Sequence, residues 1–156
     1  TTEYSTTITG LEPYLDYKAL LDGSSFENLA WKITKPRLRI SVDPNEIKII
    51  QIPVETLGEA SGTVYLEGPG GKQGIGRINI MIYNEKSTLV ATLLTEEDGY
   101  FSYLGMKSGR YTARVDKSQL ERLKLEVIVP SLNFLIHSSR DGDVVDNLDF
   151  VLKPKS

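Results

Sequence analysis

The sequence contains no cysteine and a single histidine, His137, in 156 residues. The first absence removes disulfides, thiolate nucleophiles, iron–sulfur clusters and thiolate zinc sites together. The second leaves no partner imidazole for a paired nucleophile or a multi-histidine metal site. No apolar run approaches the ~20 residues of a spanning helix, so no membrane insertion is expected of this chain. Excess positive charge is missing too: 18 Lys and Arg stand against 21 Asp and Glu, a net charge of -3, with a pI of about 5.3. Nothing electrostatic draws such a chain to a phosphate backbone, and nucleic acid is not expected as a partner. What remains, 40% hydrophobic and 25% charged residues, is a globular composition long enough to bury a core without staples. The opening Thr1-Thr2-Glu3-Tyr4 has no methionine and no charged-then-apolar leader. A mature fragment or expressed piece of a longer protein is therefore expected.

Helix-type periodicity is scarce, whereas strand-type alternation recurs between Gly, Asp, Asn and Pro clusters. Ile78, Ile80 and Ile82 fall on one face of Gly76–Tyr83, because side chains alternate across a strand. Leu89, Ala91 and Leu93 repeat that period, as do Tyr111, Ala113 and Val115. Leu123, Leu125, Val127 and Val129 form a fourth row, and Leu148, Phe150 and Leu152 a fifth. Ser61–Leu66 and Tyr100–Leu104 complete seven expected strands, the pattern of an all-β sandwich. Glu67-Gly68-Pro69-Gly70-Gly71 reads as a loop. Glu97-Asp98-Gly99 and Lys107-Ser108-Gly109 read as tight turns in which glycine supplies a positive φ. One helical turn is expected, Lys117–Arg122, capped by Ser118 and serving as a connector.

Residues 1–58 carry fewer apolar rows, with expected strands at Tyr17–Leu21, Arg37–Val42 and Lys48–Val54. A unit of that size is marginal alone. It is expected to be a small β module docked on the sandwich of residues 59–156, with Trp31 and Pro53 pinning it and a seam near Leu57-Gly58-Glu59-Ala60.

Four segments resemble the carboxypeptidase regulatory-like domains. Ser61-Gly62-Thr63-Val64 is similar to that family's opening Gly-x-Val strand, and Gly74-Ile75-Gly76-Arg77-Ile78-Asn79-Ile80 to its Gly-Ile-x-x-Val-x-Val segment. Thr95–Phe101 matches its Thr-x-x-x-Gly-x-Phe hairpin, and Gly105–Tyr111 its Leu-x-x-Gly-x-Tyr turn. The resemblance implies a seven-stranded prealbumin-like (transthyretin-like, CnaB-type) β-sandwich of the Ig-like topology class. A family attached to so many proteins implies little about function. A second, fainter similarity links Gly10-Leu11-Glu12-Pro13-Tyr14 and Leu21-Asp22 to the C-terminal region of bacterial outer-membrane fimbrial ushers. It implies a periplasmic, outer-membrane-associated piece that meets pilin–chaperone complexes.

Candidate chemistry is sparse. Asp141, Asp143 and Asp146 offer oxygen ligands to Ca²⁺, but their spacing departs from an EF-hand loop and a polar loop is the simpler reading. Ser138, His137 and Asp141 are neighbours in sequence, whereas catalytic triads assemble from distant segments around an oxyanion hole. Glu96-Glu97-Asp98 reads as a solvated turn. Gly68-Pro69-Gly70-Gly71-Lys72 lacks the Lys-Ser/Thr ending and the following helix of a phosphate loop. CnaB-type domains sometimes carry a Lys–Asn isopeptide bond, for which Lys124 with Asn147 is the pair left open. No catalytic residue, metal or cofactor is expected. The function expected is a non-catalytic extracytoplasmic module whose partner is another protein or the remainder of its own polypeptide, its surface dressed with tyrosines. The alternative is a carbohydrate-binding module accessory to a secreted enzyme, centred on Trp31.

Overall fold

The computed structural model describes residues 5–156, and its regular elements are strands apart from one short helix and one 3₁₀ turn. Two compact units are present: residues up to Glu27 with Lys32–Glu55, and Asn28–Trp31 with Thr56–Ser156.

In the first unit, β1 (Asp16–Leu20) pairs antiparallel with β3 (Arg37–Ser41), Asp16 opposite Ser41 and Leu20 opposite Arg37. Asp22 accepts from the Ser24 N–H and hydroxyl and so starts a short 3₁₀ turn. A two-stranded ladder joins β2 (Trp31–Ile33) to β4 (Val54–Thr56). The strand expected over Lys48–Val54 is not formed; only Val54 enters β4. Ile47 and Ile49 are 93% and 85% exposed. Apolar side chains with neither a ladder partner nor a core to enter do not fix a strand, whatever their β-propensity.

The second unit is a sandwich. One sheet has the order β12-β10-β7-β8, from β7 (Asn79–Asn84), β8 (Leu89–Leu94), β10 (Gly109–Val115) and β12 (Leu132–Ile136). All its pairings are antiparallel. The other is organised on the 11-residue β5 (Gly58–Gly68). Its first half pairs antiparallel with β9 (Tyr100–Met106) and parallel with β13 (Val144–Val145). Its second half pairs parallel with β14 (Phe150–Pro154) and turns back antiparallel into β6 (Gly71–Gly74). Antiparallel to β14 lies β11 (Leu125–Val127). All seven expected rows are present, and β6, β12 and β13 add to them.

The core lies between the sheets. Ile80, Ile82, Ala113, Val115 and Ile136 come from one; Ala60, Val64, Phe101, Phe150 and Leu152 from the other; Ile78 lies just ahead of β7. Complete burial of a Phe or Ile side chain contributes about 1.5–3 kcal/mol. Thr95, 3% exposed, is a polar group inside this layer. Its hydroxyl donates to the Ile75 carbonyl at 3.0 Å and accepts from the Ile78 N–H at 2.9 Å, so no bonding capacity is stranded.

Local chemistry explains where the sequence reading shifts. Glu67–Gly71 is no loop: β5 runs through Gly68, β6 resumes at Gly71, and Pro69-Gly70 alone make the turn. The helix, α1 (Lys117–Leu123), is capped by Asp116, whose carboxylate accepts from the Ser118 N–H at 3.0 Å and hydroxyl at 2.8 Å. Ser118 is thus the donor to the cap. The Ser118 hydroxyl, with backbone donors, also holds the Asp116 carboxyl below its usual range. Beyond the role of connector, α1 buries Leu120 in the core. Gln119 fastens it to β7, accepting from the Asn79 N–H and donating to the Arg77 carbonyl, each at 2.8 Å. The row expected from Leu123 to Val129 narrows to Leu125–Val127, because Lys124 takes a left-handed conformation (φ 56°) that breaks the two-residue period.

Two glycines show why they are glycine. Gly99 holds φ 87° at the corner into β9. At Gly62 a Cβ would stand 2.2 Å from the Leu148 carbonyl oxygen, because the segment linking β13 to β14 passes against β5 there. Gly62→Ala should therefore lower stability by about 1–3 kcal/mol, whereas Gly70→Ala, with nothing within 4 Å, stays near wild type. Urea unfolding of the two variants checks the difference.

Candidate interaction face

The alternation that sends Tyr111, Ala113 and Val115 inward sends Arg110, Thr112 and Arg114 of β10 outward. Register then sets their neighbours. Thr112 lies between Asn133 of β12 and Tyr83 of β7, Arg110 beside Leu135, and Arg114 beside Met81. All of these but Met81 line an open groove of ≈ 760 Å³ at the four-stranded sheet. Thr112 donates its hydroxyl proton to Asn133 Oδ1 at 2.8 Å. The Arg114 guanidinium lies 5.6 Å from the Tyr83 ring centroid, a cation–π distance. Tyr111 and Phe134, which also line the groove, stack with ring centroids 5.7 Å apart, and the Tyr111 hydroxyl donates to the Lys107 carbonyl. Neither Arg110 nor Arg114 forms an ion pair among the described residues. The arrangement can bind; it brings no nucleophile to a base.

The expected site residues are dispersed. The side chain of His137 is 70% exposed, and its partner is Asp143, not Asp141. One carboxylate oxygen of Asp143 accepts from the His137 backbone N–H at 2.6 Å and meets Nδ1 of the ring at 2.9 Å. The backbone donor first, then the ring, holds the Asp143 carboxyl below its ordinary value of 3.8. The Asp143 carbonyl accepts from the Glu59 N–H at 2.8 Å, which sets β13 beside β5. Asp146 accepts from the Asn147 amide, and the Asp141 carbonyl faces Asn28. Among the described residues no three His, Asp or Glu side chains form a metal-holding group. Lys124 and Asn147, the remaining isopeptide pair, are both exposed, as is every described lysine. Gly68–Lys72 is the β5–β6 hairpin, with no helix behind it to present amides. Trp31 is half-buried and its indole N–H donates to the Arg140 carbonyl at 2.8 Å.

Arg110, Arg114 and Asn133 were not singled out in sequence. Polar residues at alternate positions of an amphipathic strand read as a solvated face, and β12, which supplies Asn133, was not identified. The signal for β12 was present in the alternation of Leu132, Phe134 and Ile136.

No family profile and no curated protein matches the chain. Solved structures do. GBS52, the minor pilin of the Gram-positive pathogen Streptococcus agalactiae, is 14% identical with a TM-score of 0.53, over 95% of this chain and 63% of that one. The Bacillus anthracis TIE protein is 15% identical with a TM-score of 0.49, over 80% of this chain and 23% of that one. The 5-hydroxyisourate hydrolase of Klebsiella pneumoniae is 16% identical with a TM-score of 0.46, over 64% of this chain and 92% of that one. The chain thus spans less than two thirds of the pilin and of the TIE protein. At such identities the likeness is one of fold, a prealbumin-like β-sandwich; none of these three structures is an usher. Among the described residues no helix is long and apolar enough to cross a membrane.

Because the Asp143 pKa is depressed in the folded chain, its stabilising bonds are fully present above 3.8 and are lost as pH falls through the lower folded value. Asp143→Asn should therefore be less stable than wild type at neutral pH, and the gap should close below pH 3.8. Urea midpoints measured from pH 7 downward check this.

Proposed function

We propose that this chain is a non-catalytic structural and protein-interaction module of a larger bacterial envelope protein, working outside the cytoplasm and transmitting load along its polypeptide. One observation carries the reading: the first long strand of the sandwich and its last, β5 and β14, are parallel neighbours, Phe150 opposite Val64 and Leu152 opposite Leu66. Tension applied through the chain pulls β5 toward its N-terminal end and β14 toward its C-terminal end. Parallel neighbours pulled that way slide along one another, so the slanted rungs between them are strained together. Strands peeled from a free end lose their rungs one at a time. The buried apolar layer, with its ionisable groups outside, suits a mechanical part better than a reaction chamber.

The fold likeness to a minor pilin supports an extracellular setting. The finer placement in an usher-like protein, with pilin–chaperone complexes as partners, rests on Gly10–Tyr14 and Leu21-Asp22 alone. A carbohydrate-binding role has less support, since the Trp31 N–H is already engaged by Arg140 and the Tyr83 ring is covered by Arg114.

The natural absence of cysteine allows engineered cysteines to serve as force handles. Single-molecule pulling with handles at Thr56 and Lys155 should require a several-fold higher force than handles at Arg77 and Thr95. The second pair opens the β7–β8 hairpin from its end, where the Arg77 N–H meets the Thr95 carbonyl. Equal forces in the two directions would sink the load-bearing reading.

A further inference from the structure

Strand β8 ends the four-stranded sheet, and its outer side has no partner strand among the described residues. The backbone N–H and C=O of Thr95 are both bonded to the residues that lead into β7, Ile78 and Arg77. By alternation those of Leu93 and Ala91 also face β7, and those of Thr92 and Leu94 face outward. The six residues Leu89–Leu94 include no charge and no proline, the devices that usually protect an edge. Three other edges of the sandwich carry them or are too short to template a strand: Glu126 with its Lys153 partner at β11, Lys72 in β6, and only two residues in β13; β9 and β12 share with β8 the lack of charge. Leu94 is 57% exposed, and Leu89 and Val90 are also exposed.

We propose that β8 is a self-pairing edge whose partner is β8 of a second copy, antiparallel, with the two-fold axis at Thr92. Residues directly opposite in such a pair must share a face, so the axis passes through a residue. Among the two residues whose groups face outward, Thr92 alone lets the whole strand engage. Thr92 then exchanges both hydrogen bonds with its own symmetry mate, and Leu94 of each copy lies across from Val90 of the other. At Val90, which has no partner in β7, the ladder bulges, which ends the flat run and sets the length of the pairing.

Charge favours the same partner. Lys86 occupies the turn at one end of β8, and the acidic corner Glu96-Glu97-Asp98 follows the other end. The two-fold brings Lys86 of each copy to the acidic corner of its mate. Glu85 offsets part of that attraction, so the uncharged, apolar run contributes the greater share. A single strand edge is smaller than a standard interface, and the association is accordingly weak and concentration-dependent.

The test is cross-linking and mass in the 156-residue chain. Hydrogen-bonded opposite residues place their Cα atoms about 5.5 Å apart, inside the disulfide range. Thr92→Cys should therefore give a disulfide dimer under mild oxidation. Leu94→Cys should not, because its symmetry mate is about 13 Å along the strand. Sedimentation of the wild type should show mass rising above 17.4 kDa as concentration approaches ~1 mM. Thr92→Lys, which sets like charges face to face, should abolish that rise with its melting curve unchanged. Equal cross-linking at positions 92 and 94, or cross-linking of Asn133→Cys on the opposite edge in place of Thr92→Cys, would overturn the proposal. So would a mass that stays at one chain throughout.

Discussion

Hydrogen bonding on both flanks of β5 is the constraint from which the sandwich follows. Four other strands, β6, β9, β13 and β14, satisfy its backbone along its length. A strand paired on both sides has its alternation fixed, and with it the inward direction of Ala60 and Val64. The second sheet then needs only a complementary apolar face, which Ile80 and Ile82 of β7 and Ala113 and Val115 of β10 provide. The close pass of Leu148 at Gly62 belongs to the same arrangement. There the chain crosses from β13 to β14, two short parallel additions to one strand. The Leu148 N–H bonds the Ser61 carbonyl, and the Asp149 side chain accepts from the Thr63 N–H, closing the crossing on both sides of the glycine.

Much of this was legible in the sequence because a half-buried strand writes its period plainly. Ile78-Asn79-Ile80-Met81-Ile82 states both the element and its inner face, and Gly99 states the corner that follows β8. Ambiguity arose where two signals compete. Pro69 and Gly70 read as the centre of a long loop, but two residues suffice for a hairpin when the flanking strands pair to the end. Leu123, Leu125, Val127 and Val129 look like one row, yet no sequence period reveals that Lys124 turns left-handed between a helix and a strand. Ile47 to Ile52 misled in the opposite sense: strand formers in composition, they lack the partner that makes a strand.

The outer chemistry was the least legible part. A guanidinium resting on an aromatic ring, as Arg114 rests on Tyr83, depends on cross-strand register, and register is set by contacts remote in sequence. The link between His137 and Asp143 is local, but Asp141 lies closer in sequence and only the fold distinguishes the two. In both cases residue type was visible and geometry was not. The chemistry of this molecule accordingly lies at its periphery, where these groups fasten segments.

The hydroxyl of Thr95 imposes a choice that shape alone would not. Valine has nearly the same outline and is more apolar, and a purely oily interior would welcome it. In this corner it would strand the buried amide of Ile78 and deprive the part-buried carbonyl of Ile75 of its donor. Serine keeps the oxygen and forfeits only a methyl group. Substitution at this corner is therefore filtered by the ability to relay a proton-sharing contact between two turns of chain, and volume comes second.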